Sequence, residues 1–382
     1  MRILNVNASI DPVTGGGTAE RTYQLSRFFV RRGAECSVLT LDVGITDERL
    51  QGLAGVEVTA LRCLAPRYYV FPLPEPRIDA LVNWADVVHL TGHWTLLNAA
   101  VYRAARRAGK PHVVCPAGAL PRYGRSRALK ASYNWVVGRK IVRDARACVA
   151  ISSNEIAQFA EYGVPAGRVT VIPNGIDPEE FARPDPGGFR ARFGLPDAPL
   201  ILFMGRLNSI KGPDLLLRAF ADARLASRGY NLVFAGSDDG LLDTLKAGAA
   251  HAGVTGSVRF IGHVGARDKA GAYCASELLV IPSRQEAMSI VVLEAGICNR
   301  PVLITDRCGF DEVERIGGGR VVPASVDGIR SGLLGMLGDA EGLPAMGQRL
   351  GEFVRRNFLW EFACRRYLDL FSTLLHDRDQ SA

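Results

Sequence analysis

The residues best suited to chemistry in this 382-residue chain are two carboxylates and two cations, each set beside a predicted helix start. The carboxylates form an E-x7-E pair, Glu286 and Glu294, within Pro282-Ser283-Arg284-Gln285-Glu286-Ala287-Met288-Ser289-Ile290-Val291-Val292-Leu293-Glu294. The cations lie in Gly205-Arg206-Leu207-Asn208-Ser209-Ile210-Lys211-Gly212. An arginine offers a planar fork of donors to phosphate oxygens and a lysine adds a mobile point charge, so Arg206 and Lys211 suit a diphosphate. A carboxylate such as Glu294 can accept two hydrogen bonds from a ribose diol. Taken singly, each motif also fits a blander reading: an amphipathic helix with two solvated glutamates, or a solvated basic loop.

Those side chains need elements to hold them. The apolar run Glu277 to Ile281 reads as a buried strand that Pro282 stops, and Ser289 is placed to N-cap an apolar helix beginning at Ile290. Such a terminus presents free N–H groups and about half a positive charge, which suits a phosphate. Glu294, about one turn inside the helix and roughly 100° round from Leu293, can point along a cleft while Leu293 enters the core. The Gly205 loop follows a predicted strand, Leu200 to Met204, and precedes Pro213 at a helix N1 position. Gly205 and Gly212 permit close backbone approach, and no Walker A sequence occurs.

The chain begins with the same alternation. A strand over Arg2 to Asn7 leads through Gly15-Gly16-Gly17 into an amphipathic helix, Thr18 to Arg32. Strands follow at Cys36 to Leu41, Val56 to Thr59, Asp86 to Leu90, His112 to Cys115, Ala147 to Ile151 and Arg168 to Ile172. A run containing Pro66, Pro72, Pro74 and Pro76 is expected to be irregular. Residues 119 to 146 carry Arg122, Arg125, Arg127, Lys130, Arg139, Lys140, Arg143 and Arg146 against Asp144, with Tyr123, Tyr133, Trp135 and Val136 between them. On one helix, that mixture suits an anionic membrane or another polyanion; a solvated basic face fits it equally.

Pro173 to Gly188 is turn-rich and reads as a linker, after which a second strand and helix series starts at Leu200. Its strands are expected at Leu200 to Met204, Asn231 to Ala235, Val258 to Ile261, Glu277 to Ile281, Val302 to Thr305 and Arg320 to Val322, before a last amphipathic segment, Leu350 to Leu375. Two such series predict an α/β protein with two doubly wound, Rossmann-like domains.

Composition narrows the function classes. No apolar run approaches the ~18 residues of a spanning helix and the N-terminus lacks a signal peptide pattern, so a cytosolic location is expected, with peripheral attachment at a membrane face an option. The eight cysteines are scattered without C-x-x-C, as reduced core residues would be. A net charge of +7 suits an anionic substrate, membrane surface or nucleic acid. No RNA-binding signature occurs, so nucleic acid is not an expected partner.

The combination of G-R-L-x-x-x-K-G, an E-x7-E ending in Leu-Glu-Ala about eighty residues later, and Ile172-Pro173-Asn174-Gly175-Ile176-Asp177 resembles retaining glycosyltransferase family 4, the group 1 family. The resemblance spans essentially the whole chain and implies the GT-B architecture, two domains facing a cleft. It implies an acceptor-side domain over residues 1–180, a nucleotide-sugar domain over 189–355, and a C-terminal helix, 356–382, packing back on the first. By resemblance, Arg206 and Lys211 hold the donor diphosphate, with Gly205, the backbone of Ser289 and Ile290, and Gly16 and Gly17 from the first domain. Glu294 would take the ribose, Glu286 the transferred sugar, and His263 and Val264 would flank the base.

This chain departs from the commoner family pattern in two places. Glu286-Ala287-Met288-Ser289 stands where many members read Glu-Gly-Phe-Gly, leaving donor preference open, and Ala117-Gly118 stands where many have His-Gly. His93, in Thr91-Gly92-His93-Trp94, is then the candidate catalytic-face histidine, although a lone histidine is often structural. No Asp-x-Asp lies near either loop; Asp377-Arg378-Asp379 falls in a tail expected to fray. The reaction is therefore expected to need neither metal nor cofactor. The resemblance implies a front-face displacement, with Arg206, Lys211, Glu286 and the candidate His93 as catalytic residues, and the basic run suggests a lipid-linked glycan as acceptor in cell-surface polysaccharide synthesis. The alternatives are a nucleotide-sugar 2-epimerase of the same fold and a non-catalytic module binding an anionic membrane or polyanion. A nicotinamide dehydrogenase is disfavoured because neither opening loop carries G-x-G-x-x-G.

Overall fold

The computed structural model describes residues 1–121 and 126–379, which divide into two compact units, Met1–Gly175 with the C-terminal segment from Trp360, and Ile176–Leu359. The first unit opens with β1 (Arg2–Val6), α1 (Gly16–Arg31), β2 (Glu35–Leu41), α2 (Asp47–Gln51), β3 (Glu57–Leu61) and α3 (Pro76–Trp84). It continues with β4 (Val87–Thr91), α4 (Leu96–Arg107), β5 (His112–Cys115), α5 (Arg127–Tyr133), α6 (Arg139–Arg143), β6 (Ala147–Ala150), α7 (Glu155–Glu161) and β7 (Val169–Val171). The seven strands pair in parallel in the order β3-β2-β1-β4-β5-β6-β7. β4, β5 and β6 are buried at every position, as strands covered by helices on both faces must be.

The second unit contains α8 (Pro186–Arg192), β8 (Leu200–Met204), α9 (Pro213–Asp222), β9 (Asn231–Ala235), α10 (Leu242–His251), β10 (Val258–Gly262), α11 (Ala266–Cys274), β11 (Leu278–Ile281) and α12 (Ile290–Ile297). β12 (Val302–Thr305), α13 (Glu312–Arg315), β13 (Gly319–Val322), α14 (Val326–Leu337) and α15 (Leu343–Asn357) complete it. Its six parallel strands run in the order β10-β9-β8-β11-β12-β13. In both sheets the order reverses beside the first strand, between β1 and β4 and between β8 and β11, and such switch points leave a crevice at the strands' C-terminal ends.

The chain's last helix, α16 (Trp360–Asp379), belongs to the first unit. The apolar segment expected as one piece is two helices, broken at Phe358 and Leu359, and α16 runs through Asp377-Arg378-Asp379 where fraying was expected. Trp360, Tyr367 and Phe371 are buried, with Tyr367 and Phe371 against Phe29 of α1. Beneath them the fully buried Arg21 donates to Asn174 Oδ1, to the Ile172 carbonyl and to the Tyr367 hydroxyl, each at 2.8 to 2.9 Å. That one guanidinium joins α1, the exit from β7 and α16.

Several local expectations need correction. Pro76 does not lie in irregular chain: it occupies the first turn of α3, where a missing N–H costs nothing, and Glu75 caps the helix by accepting from Arg77 N. The run from Pro173 to Gly188 contains the connection between the units, but most of it is ordered structure of the second. The unit boundary falls at Gly175 and Ile176, and beyond it Asp177 and Asp185 cap a 3-10 turn and α8, whose Phe181 and Phe189 are buried. The basic segment is not one α-helix either, since α5 and α6 are joined by a π turn, Asn134–Gly138. Arg122 and Arg125 lie outside the described residues. No helix among the described residues is long and apolar enough to cross a membrane.

Candidate functional site

In the second unit the two motif loops lie side by side because β8 and β11 are neighbours in the sheet. Gly212 has φ +67°, and a Cβ there would come within 2.1 Å of the Pro282 carbonyl oxygen, so only glycine lets the loops close to this distance. Arg284 stitches them: its N–H donates to the Ile210 carbonyl at 2.7 Å, and its guanidinium to the Ser209 carbonyl and to both oxygens of Asp214. Gly205 and Gly236, at φ +152° and +156°, are pressed together in the same way, a Cβ on Gly236 falling 1.9 Å from the Gly205 carbonyl oxygen.

This scaffold brings Lys211 Nζ to 3.0 Å from Glu286 Oε1, with 29% and 8% of the respective side chains exposed. Ser283 donates to the same carboxylate oxygen at 2.5 Å, and Glu286 N donates to the Arg307 carbonyl at 2.8 Å. Glu286 is thus fixed by a cation, a hydroxyl and its own backbone. Arg206 reaches the mouth of the loop, where Asp239 accepts from it at 3.1 Å; both are more than two-fifths exposed. An exposed pair of that kind contributes little and is readily exchanged for an anionic ligand.

Ser289 occupies the N-cap position of α12 but makes no cap bond: its Oγ is buried without a hydrogen-bond partner. The expected capping role is therefore corrected. A buried hydroxyl left unpaired costs about 1–3 kcal/mol, and a ligand oxygen at the helix terminus is the kind of group that would satisfy it.

Glu294, one turn further on, is 4% exposed and already engaged, accepting from Lys269 Nζ at 2.7 Å and from the Tyr273 hydroxyl at 2.5 Å. Burial, followed by the nearby Glu294 carboxylate, pushes the Tyr273 phenol well above its ordinary value, so it remains a donor. From behind, α15 clamps α12 at Gly296, where a Cβ would meet Val354 at 2.6 Å. Lys269 and Tyr273 escaped sequence reasoning, although their i,i+4 spacing on α11 puts both on one helix face. His263, exposed, and Val264, buried, follow β10 at the same end of the sheet. Among the described residues no three His, Cys, Asp or Glu side chains cluster as metal ligands would.

In the first unit, Gly16 (φ +61°) and Gly17 open α1 at the end of β1, and the preceding turn is held by Asp11, which accepts from Val13 N and Thr14 N. His93 follows β4 on the other side of the switch point. It is 2% exposed, its Nε2 bonds Asn134 Oδ1 at 3.0 Å, and the rings of Trp94, Tyr133 and Tyr162 meet it edge-on at 4.5, 5.7 and 5.4 Å. Asn134 Nδ2 donates to Tyr162 Oη at 2.8 Å, which fixes the amide and makes the His93 Nε2 the donor. Burial holds His93 down at about 4, so the ring is neutral. The π turn is what aims Asn134 at it.

The chain matches the model for glycosyl transferases group 1 over residues 189–346, and that for Glycosyltransferase Family 4 over residues 15–180. It belongs to the group 1 glycosyltransferases of family 4. Relatives within the family include the D-inositol 3-phosphate glycosyltransferases of Stackebrandtia nassauensis, 32% identical over 58% of this chain and 53% of that protein, and of Nocardia farcinica, 31% over 62% and 54%. The chain thus spans about half the length of these two. The enzyme of that name from Xylanimonas cellulosilytica is 29% identical over 94% of this chain and 93% of its own. Among solved structures, Anabaena HepE in complex with UDP and glucose aligns with TM-score 0.80 at 18% identity, covering 98% of this chain and all of that one. Sucrose-phosphate synthase from Thermosynechococcus elongatus aligns at 0.76 and 18%, covering 99% and 100%. At such identities the likeness is one of fold, the two Rossmann-like α/β units of GT-B glycosyltransferases.

Proposed function

We propose that this chain is a retaining, metal-independent glycosyltransferase that moves a sugar from a nucleotide-diphosphate donor bound by the second unit to an acceptor bound by the first. The observation that carries the reading is the meeting of Lys211, Glu286 and the unpaired Ser289 hydroxyl at the start of α12, with the engaged Glu294 one turn further on. The diphosphate leaves with the charge that develops in the transition state, and Lys211, Arg206 and the α12 terminus stabilise it. Glu294, oriented by Lys269 and Tyr273, accepts from the ribose hydroxyls, while Glu286 accepts from hydroxyls of the transferred sugar. The departing phosphate takes the acceptor's proton as the new bond forms on the face it leaves, which retains the anomeric configuration. His93 positions the first unit's loop through Asn134 and is not an acid or base near neutral pH. Because related folds have been solved with UDP and with UDP-glucose, a uridine-diphosphate sugar is the first donor to try.

For the acceptor, a lipid-linked glycan at a membrane face is favoured by the surface of the first unit. A groove of about 430 Å³ there is lined by Tyr102, Arg103, Arg106, Val136, Val137 and Lys140, and the adjoining Trp135 is 85% exposed. The D-inositol 3-phosphate named in the relatives favours a second reading, a soluble phosphorylated polyol. With either acceptor, our reading has the protein act in the cytoplasm. NMR of the product's anomeric configuration, with and without EDTA, tests the central reading. An inverted anomer, or activity abolished by EDTA and restored by magnesium, overturns it. Epimerised donor without glycoside would favour the 2-epimerase, and Arg206→Ala and Glu286→Ala proteins that sustain growth as well as the parent would favour a binding module.

A further inference from the structure

The two groups that hold the Glu286 side chain act on one of its oxygens. Lys211 Nζ lies 3.0 Å from Oε1, and Ser283 Oγ donates to that same Oε1 at 2.5 Å. Among the described residues of the second unit, none donates to Oε2. Ser283 is itself held from behind. It is buried, and its carbonyl accepts from the hydroxyl of Thr305, the last residue of β12, whose Oγ1 also meets Cys308 Sγ at 3.3 Å. Cys308 Sγ donates to the Ile281 carbonyl at 3.5 Å, and Glu286 N donates to the Arg307 carbonyl at 2.8 Å. The turn over residues 305–308 therefore ties down the backbone at Ile281, Ser283 and Glu286, and sets the separation between the Ser283 hydroxyl and the Glu286 carboxylate.

We propose that Ser283 is a positioning residue that, with Lys211, fills Glu286 Oε1 and leaves Oε2 to select the transferred sugar by its hydroxyl donors. The proposal rests on the donor reading given above, in which Glu286 faces that sugar.

An ionised carboxylate only accepts, with about two lone-pair positions on each oxygen. The ammonium and the hydroxyl occupy those of Oε1, so the sugar can present at most about two donors, both to Oε2. The terminal torsion of a glutamate is broad and roughly two-fold, so the side chain alone does not distinguish its oxygens. Lys211 does not distinguish them either, because an ammonium on a flexible stem follows whichever oxygen approaches. The buried Ser283 hydroxyl, tied in place through Thr305, breaks that symmetry. The sugar then meets a fixed anionic acceptor, which takes O–H donors and rejects a substituent that cannot donate, such as fluorine.

The test measures binding to the full chain by calorimetry. Its probes are UDP, UDP-glucose, and UDP-glucose analogues with fluorine in place of the hydroxyl at C2, C3, C4 or C6. In the parent, one or two of the fluoro analogues should bind about tenfold or more weaker than UDP-glucose, as loss of a hydrogen bond to a charged group does. In Ser283→Ala that ratio should shrink to about threefold or less, because the released carboxylate can turn either oxygen to the sugar. Thr305→Val, which removes the hydroxyl behind Ser283, should shrink it in the same direction, and Thr305→Ser, which keeps a hydroxyl, should restore it. The readout is a ratio of affinities within one protein, so a general loss of stability does not move it. If Ser283→Ala fails to fold, the two Thr305 variants carry the test. A folded Ser283→Ala, or in its absence Thr305→Val, that discriminates as the parent does overturns the proposal. So does a parent that binds every fluoro analogue as tightly as UDP-glucose, or one that binds UDP and rejects UDP-glucose. A parent that binds no UDP counts instead against the nucleotide reading.

Discussion

The Lys211 ammonium lies 3.0 Å from the Glu286 carboxylate, joining motifs that the chain keeps about eighty residues apart. The contact exists because β8 and β11 are adjacent and Gly212 packs its backbone on the Pro282 carbonyl. It gives each side chain a partner before any ligand arrives. A partly buried pair behaves asymmetrically, since removing one member strands the other.

The first prediction follows from that asymmetry. Lys211→Met should lower kcat/KM for the donor at least a hundredfold, because it removes a phosphate ligand and leaves Glu286 with only Ser283. Glu286→Gln, which keeps a hydrogen-bonding group in place, should act on kcat more than on donor KM. The double variant should show coupling of about 1 kcal/mol or more, as residues in contact do. Strict additivity in the cycle would mean the pair does not act together.

The second prediction concerns Arg206. A charge-assisted hydrogen bond contributes about 1.5–3 kcal/mol. Arg206→Ala should therefore weaken UDP binding about tenfold or more by calorimetry, and Arg206→Lys, which keeps the charge without the fork, should lose less. Asp239→Asn should leave binding unchanged or slightly tighter, since it frees the guanidinium from its resting partner. Equal UDP affinity in all four proteins would put Arg206 outside the site.

The alternation of strands and helices was legible because most strands are short apolar runs between polar or turn-forming residues, and two strand and helix series follow from it. Glu286, Glu294, Arg206 and Lys211 were legible as a set through their motif spacing. The support around them was not. Lys269, Tyr273 and Arg284 reach the site from a neighbouring helix and a loop, and nothing in the local sequence says which strands will be adjacent. Pro76 misled because proline stops a helix interior yet starts a helix well, and the turn-rich run before Leu200 misled only in its extent, because aspartates there cap helical turns just past the unit boundary.

A third prediction concerns acid. Burial holds His93 down at about 4 and His89 at about 3, while an imidazole in the unfolded chain titrates near 6.5. Below that value the unfolded chain takes up protons that the folded chain refuses. The stability these histidines contribute is therefore fully present above about pH 6.5 and is lost as pH falls toward 4. Between pH 7 and 5 the loss from His93 alone amounts to roughly 2 kcal/mol. Urea midpoints for the parent should drop over this interval, and His93→Gln should drop less. Identical pH slopes would show that His93 is not held neutral in the folded protein.

The last prediction concerns the surface of the first unit. Arg103 and Lys140 line the groove with no acidic partner among the described residues, while Arg106 and Arg107 face Asp144 and Asp79. Leu129, Trp135 and Val136 stand 57%, 85% and 50% exposed beside them. An exposed tryptophan among unpaired cations suits a membrane interface, where the ring sits at headgroup level and the cations meet phosphate. Each cation near an anionic leaflet contributes about 1 kcal/mol and is screened by salt, so binding should be reversible. In flotation with vesicles of phosphatidylcholine and phosphatidylglycerol, recovery should rise with the anionic fraction and fall above about 0.5 M salt. Arg103→Gln with Lys140→Gln should lower the partition about tenfold or more, and Trp135→Ala should lower it even in high salt, because its contribution is apolar. A protein that stays in the soluble fraction throughout would exclude membrane docking and leave the soluble phosphorylated polyol as the acceptor to pursue.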